Sequence, residues 1–257
     1  MIARRAVAAG VTGALALALA ALGDPSSVAA PRVTLECRIR QDTDLILFSD
    51  YGEPPQFAIW LEDPAGKQVR TLFVTRRSGK GVWEGKAECP AALPRWFRVY
   101  EKETGRKGLP TPKAPAPDAV SGATPKSEQF TWRAEVERGR RWVCWIEVNL
   151  AADFNQAFPR YNEATGEIDT HDSGQPPLLY RAELLAEPGS RLVPKLWAYV
   201  VPGSRGKGVE RDLSRITTAK EIFRSIQLRV LEFSEFHDNS EAMRRAVPLA
   251  PEGSGPG

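Results

Sequence analysis

Apolar and polar residues alternate without a break from Arg32 to Arg40. Val33, Leu35, Cys37 and Ile39 fall on one side, and Arg32, Thr34, Glu36, Arg38 and Arg40 on the other. A two-residue period sends successive side chains to opposite faces, so this stretch is a half-buried strand. Asp44–Phe48 is predicted as a second short strand, ended by Tyr51-Gly52 and Pro54-Pro55, and Phe57–Leu61 as a third. Asp63-Pro64-Ala65-Gly66 then has proline where a tight turn fixes φ and glycine where it wants positive φ. Gln68–Thr75 returns as a strand, and the pair reads as a hairpin. Arg76–Gly81 reads as a basic, glycine-containing loop. Leu93–Glu103 reads as a helix, with Pro94 in its first turn, Trp96, Val99 and Tyr100 at i, i+3 and i+4, and Gly105 as its stop.

Further along, Phe130–Glu135 and Arg140–Asn149 read as a hairpin around Arg138-Gly139. Residues 151–177 form a long polar insertion of the kind that is functional or disordered. Leu178–Leu185 and Lys195–Val201 are strands joined by a Glu187-Pro188-Gly189 turn. Thr218-Ala219-Lys220-Glu221 has the form of a capping box and begins a short helix through Ile222 and Phe223. Ile226, Leu228 and Val230 alternate as the last strand. Many short strands separated by turn signals predict an all-β antiparallel sandwich with one or two short helices over residues 31–236. That span carries the proline-rich loop 105–125 and the insertion 151–177, with the seven tryptophans available to its core and a disordered tail at 237–257.

Composition changes this picture little. The chain of 257 residues is 42% hydrophobic and 26% charged, as expected of a globular domain. Its net charge of +3 is small, and Lys and Arg are scattered among Asp and Glu with no basic stripe, which argues against nucleic acid as a partner. The N-terminus does change the picture. Arg4 and Arg5, an apolar run from Val7 to Leu22 and the small residues Ser26, Ser27, Ala29 and Ala30 read as a signal peptide over residues 1–29. Pro31 would hinder a cut after Ala30, so cleavage is expected near Ala29. The apolar run is short for a membrane span, and the expected destination is periplasmic or secreted, with no stable span after cleavage. Export permits disulfides. Cys37, Cys89 and Cys144 allow one pair and a leftover; Cys37–Cys144, both in strand-like runs, is the preferred pair, and three small buried hydrophobes are the alternative.

Candidate chemistry centres on Asp118-Ala119-Val120-Ser121-Gly122-Ala123-Thr124, between the proline-rich run Pro110–Pro117 and Pro125. Such bounds predict an exposed connection. The stretch resembles the covalent-FMN attachment motif D-x-x-[ST]-G-A-[TS] of the FMN-carrying subunits of sodium-pumping quinone reductases and related electron-transport complexes. The resemblance implies that a flavin transferase joins FMN to Thr124, with Asp118, Ser121, Gly122 and Ala123 filling the other fixed positions. Ala119 stands where glycine is common, and Pro125 biases Thr124 towards an extended backbone. The structural alternative is an Asx-type turn built on Asp118 and Ser121.

Other chemistry finds little support. Asp153, Asp169, His171 and Asp172 are metal-capable residues in or near the insertion, but their spacing matches no metal motif, and His237 has no obvious partner. The sequence has no G-x-S-x-G and no H-E-x-x-H. Gly203–Gly208 looks superficially like a phosphate loop but lacks G-x-x-x-x-G-K-[ST] and opens no helix, so it reads as a strand connection. No catalytic constellation emerges, and the chain does not read as a stand-alone enzyme.

Phe57–Asp63 through Val69–Leu72, Asp118–Thr124, Gly174–Tyr180 and Ile216–Ala219 together resemble a family of predicted periplasmic bacterial proteins of unknown function. That resemblance implies an immunoglobulin-like sandwich whose genes tend to lie near flavin-transfer enzymes. The functional expectation is an exported electron-transfer carrier with FMN on Thr124, meeting a flavin transferase or a membrane redox protein. The alternative is a non-catalytic binding module that recognises a protein or small ligand through its long loops.

Overall fold

The computed structural model describes residues 30–48, 53–82, 92–117, 121–169 and 173–233. In chain order its elements begin with β1 (Arg32–Gln41), α1 (Thr43–Phe48), β2 (Gln56–Glu62), β3 (Val69–Thr75), α2 (Arg76–Lys80) and α3 (Pro94–Thr104). Next come β4 (Ser121–Gly122), β5 (Gln129–Glu137), β6 (Arg141–Asn149), β7 (Tyr161–Asn162), β8 (Glu167–Ile168) and β9 (Leu178–Leu185). The series closes with β10 (Arg191–Leu192), β11 (Lys195–Val200), β12 (Val209–Glu210), a 3-10 helix (Thr218–Glu221) and β13 (Phe223–Glu232). The protein is strand-rich, as the alternation requires.

The strands form a four-stranded sheet in the order β10-β13-β1-β5, a seven-stranded sheet in the order β12-β11-β9-β6-β2-β3-β4, and the separate pair β7-β8. The two larger sheets share one core. Leu35, Cys37 and Ile39 of β1 belong to the same buried cluster as Ile59 and Leu61 of β2 and Ile146 of β6. Aromatic rings bridge the layers: Phe57 of β2 lies 5.2 Å from Phe130 of β5 and 5.6 Å from Phe223 of β13. Each alternating strand thus sends one row of side chains into a common interior.

The other face of β1 is polar, exposed at Arg32, Arg38 and Arg40 but buried at Thr34 and Glu36. Glu36 is fully buried there, 2.7 Å from Arg38 and 2.7 Å from Arg133 on the neighbouring strand. Burial pushes its carboxyl up, but hydrogen bonds from the Arg133 and Arg38 guanidinia outweigh burial and hold it below the ordinary value.

On its far side the seven-stranded sheet carries α3. Trp96, Val99 and Tyr100 bury against Ala58, Trp60 and Val200, so the i, i+3, i+4 stripe does what its spacing predicts. Gly105 ends the helix with φ 68° and donates its N–H to the Glu101 carbonyl at 2.9 Å. The N-terminus has no side-chain cap of its own at Leu93. Instead the fully buried Glu147 of β6 accepts hydrogen bonds from the backbone N–H groups of Arg95, at 3.0 Å, and Trp96, at 2.7 Å. A carboxyl group supplied by the sheet satisfies helix donors that have no partner within the helix.

Several expectations are corrected. Asp44–Phe48 is helical, because Asp42 accepts from the Leu45 N–H at 3.0 Å and starts a turn there. Arg76–Gly81 is helix α2, closed by Gly81 in the left-handed region at φ 61°. β5 and β6 are not a hairpin. β5 pairs with β1, and β6 pairs with β2 and β9, so the chain crosses between sheets at Arg138–Arg140. Gly139 donates to the Ala186 carbonyl and Arg138 to the Pro31 carbonyl at that crossing. β9 and β11 do pair, but between them β10 joins β13 in the other sheet. At Thr218 the capping-box side-chain bond does not form, because the Thr218 hydroxyl bonds Asp153 instead. Cys37 and Cys144 are free buried thiols in the common core, not a disulfide, and Cys89 lies outside the described residues.

Candidate functional site

The C-terminal half of the flavin-like motif is an edge of the main sheet. β4 pairs in parallel with β3, Ser121 opposite Val74 and Gly122 opposite Thr75, and is the last strand on that side. Gly122 does not use positive φ. Its role is close approach: a Cβ there would stand 2.6 Å from a ring carbon of Phe73. The Ser121 hydroxyl oxygen is shielded from solvent and has no hydrogen-bond partner. The residues before the motif are anchored rather than loose. Ala116 is buried in the outer core and donates its N–H to the Gly79 carbonyl at 2.7 Å.

Beyond Gly122 the chain leaves the sheet. Ala123 is exposed and Thr124 half-buried, and among the described residues the Thr124 hydroxyl takes no hydrogen bond. The segment is held again just after: the Gln41 side-chain amide donates to the carbonyls of Pro125, at 3.3 Å, and Ser127, at 2.9 Å. Thr124 therefore stands between two fixed points, at the margin of the seven-stranded sheet. Asp118, Ala119 and Val120 lie outside the described residues, and with them the Asx-turn alternative.

The insertion is anchored by a polar network that the sequence did not announce. Gln175 donates its amide N–H to Asp153 at 2.8 Å and to the Thr218 hydroxyl at 2.7 Å, and accepts from the Thr217 N–H at 2.7 Å. Burial raises the Asp153 carboxyl above its ordinary value, against lowering bonds from Thr218 and Gln175. Asp169, the other described metal candidate, accepts from the Gly174 N–H at 3.0 Å. His171, Asp172 and His237 lie outside the described residues. Among the described residues no group of three metal-capable side chains comes together.

Above this network, α3, the insertion and the connection after β11 enclose a groove of about 1010 Å³. Phe97, Leu109, Phe158, Ile168, Pro177 and Val201 give it apolar walls. Arg98, Arg205 and Lys207 stand among them. Periodicity could not indicate this groove, because three segments distant in sequence build it.

Comparison with protein-family models, with curated proteins and with solved structures gives no significant match. Among the described residues no helix is long and apolar enough to cross a membrane.

Proposed function

We propose that this protein is an exported carrier of FMN covalently attached at Thr124, within an immunoglobulin-like sandwich of the periplasmic family it resembles. The observation that carries the reading is the state of the two hydroxyls in the motif. Ser121 Oγ is shielded from solvent, whereas Thr124 follows the last paired residue at an open sheet edge with its hydroxyl uncommitted. Two face-to-face sheets linked by segments that cross between them support the immunoglobulin-like description.

In the attachment step the Thr124 oxygen forms a bond to the flavin-side phosphorus of FAD. The pyrophosphate bond breaks, AMP leaves, and the hydroxyl proton passes to a base of the transferase. The flavin then sits outside the sandwich, where it can exchange electrons with a membrane redox protein without a dedicated cavity. The test is co-expression of the full chain with a flavin transferase, read by intact mass. An FMN adduct is expected on the parent and on Ser121→Ala, and none on Thr124→Ala. No adduct on the parent, or an adduct that persists in Thr124→Ala, overturns the assignment.

The groove favours a second reading, a binding module that works through the insertion. The two readings are compatible, because they use different parts of the molecule.

A further inference from the structure

We propose that the groove between α3, the insertion and the β11–β12 connection binds an amphipathic anion: a ring-containing apolar molecule that carries one acidic group.

The walls argue for the apolar part. Leu109, Ile168 and Val201, 37%, 62% and 37% exposed, are large hydrophobic residues that line this groove. Exposed apolar side chains gathered at one concave surface mark a binding site, whereas scattered ones need no explanation. Proline rings add flat, rigid surface, from Pro94 on α3 and from Pro176 and Pro177 of the insertion.

The charges argue for the acidic group. Among the described residues the side chains of Arg98, Arg205 and Lys207 take no hydrogen bond or ion pair, and all three residues are exposed. The carboxylates of the groove are engaged locally. Asp169 accepts from the Gly174 N–H at 3.0 Å, Glu167 from the Thr165 hydroxyl at 3.2 Å, and Glu101 from the Gly108 N–H at 3.5 Å. Those neutral donors leave the carboxylate charges in place, but the β11–β12 connection brings only cations to the groove, Arg205 and Lys207, and that end suits a carboxylate, sulfonate or phosphate.

The cations are brought together by construction. Gly206 has φ 75°, and a Cβ there would lie 2.1 Å from the Pro94 carbonyl oxygen, so only glycine lets this connection press on the start of α3. The Arg95 guanidinium donates to the Gly206 carbonyl at 3.3 Å and pins the contact. Arg205 is held beside it at φ 52°, a left-handed conformation that a non-glycine residue adopts at a cost. The connection thereby sets Arg205 and Lys207 in the same groove as Arg98, one turn along α3 from Pro94. No described residue from 110 to 156 lines the groove, so this site is distinct from Thr124.

The experiment uses the full chain, produced without a flavin transferase, and two fluorescent probes of nearly the same shape. These are 8-anilinonaphthalene-1-sulfonate and its uncharged analogue N-phenyl-1-naphthylamine. The sulfonate is expected to bind saturably at one site, the neutral probe about tenfold more weakly, and the sulfonate affinity to fall as salt is raised. Arg205→Glu combined with Lys207→Glu should weaken the sulfonate by about tenfold or more at an unchanged circular dichroism spectrum. Arg191→Glu, on the four-stranded sheet, should leave it unaltered. No saturable binding, equal affinity for the two probes, or full affinity in the Arg205/Lys207 variant overturns the proposal.

Discussion

A residue's type follows from what its neighbours leave room for, and Gly122 is the clearest case. A fixed glycine can serve by positive φ or by the absence of a side chain. Only the second operates, because Phe73 fills the space a Cβ would need. Gly122→Ala is therefore expected to lower stability by about 1–3 kcal/mol, the usual cost of overpacking, measured by urea denaturation. Because Phe73 also packs on Phe130 and Trp132 across the core, the ring cannot simply swing aside. A variant as stable as the parent would show that β4 has no fixed seat on β3. The motif's own residues were legible in sequence. The reason for its glycine was not, because Phe73 is distant in the chain and adjacent only through strand pairing.

At the scale of elements, legibility follows the length of the pattern. β1, β13 and α3 have long enough periods to be read from the sequence, and β2 and β3 are apolar runs joined by a turn signal. At α1 the short apolar run Leu45-Ile46-Leu47-Phe48 suits strand and helix alike, and the deciding signal is the cap from Asp42. α2 has no apolar pattern at all. The β5–β6 crossing escaped notice because a glycine turn between two strands reads the same whether they pair with each other or with different sheets. Glu147 shows the same limit: in sequence it is a polar position in a strand, in the fold it is the N-terminal cap of α3. Burial pushes its carboxyl from 4.5 up to about 8, although the two N–H donors and Arg95 act to lower it. A native carboxyl with a raised pKa binds its proton more tightly than the unfolded chain does. Its contribution to stability is full below the unfolded value of 4.5 and is lost as pH rises through about 8. Glu147→Gln cannot titrate, so the parent should lose stability relative to this variant between pH 5 and 8, on the order of a few kcal/mol. Parallel urea midpoints across that range would refute a titrating Glu147.

Among the described residues the two larger sheets close on one common core, and each contributes a thiol to it. Cys37 comes from β1 and Cys144 from β6, at 3% and 0% exposure. Both were in strand-like runs in the sequence, and that much was legible. Whether two inward cysteines become a disulfide depends on the geometry between the sheets, which strand alternation does not encode. The structure keeps them as separate thiols, close enough for Cys144 to bear on the ionisation of Cys37. Burial pushes Cys144 up to about 12 and raises Cys37 well above its ordinary value, so neither forms the reactive thiolate near neutral pH. Neither can be reached without separating the four-stranded sheet from the seven-stranded one. In a Cys89→Ser background, both thiols should therefore be inert to a disulfide reagent in native buffer. In added urea they should label together, at one rate that tracks loss of the circular dichroism signal. Fast labelling of one cysteine in native buffer would mean that the core opens locally. A mass lower by two hydrogens, with no label taken up after denaturation, would mean that the sheets are joined by a disulfide after all.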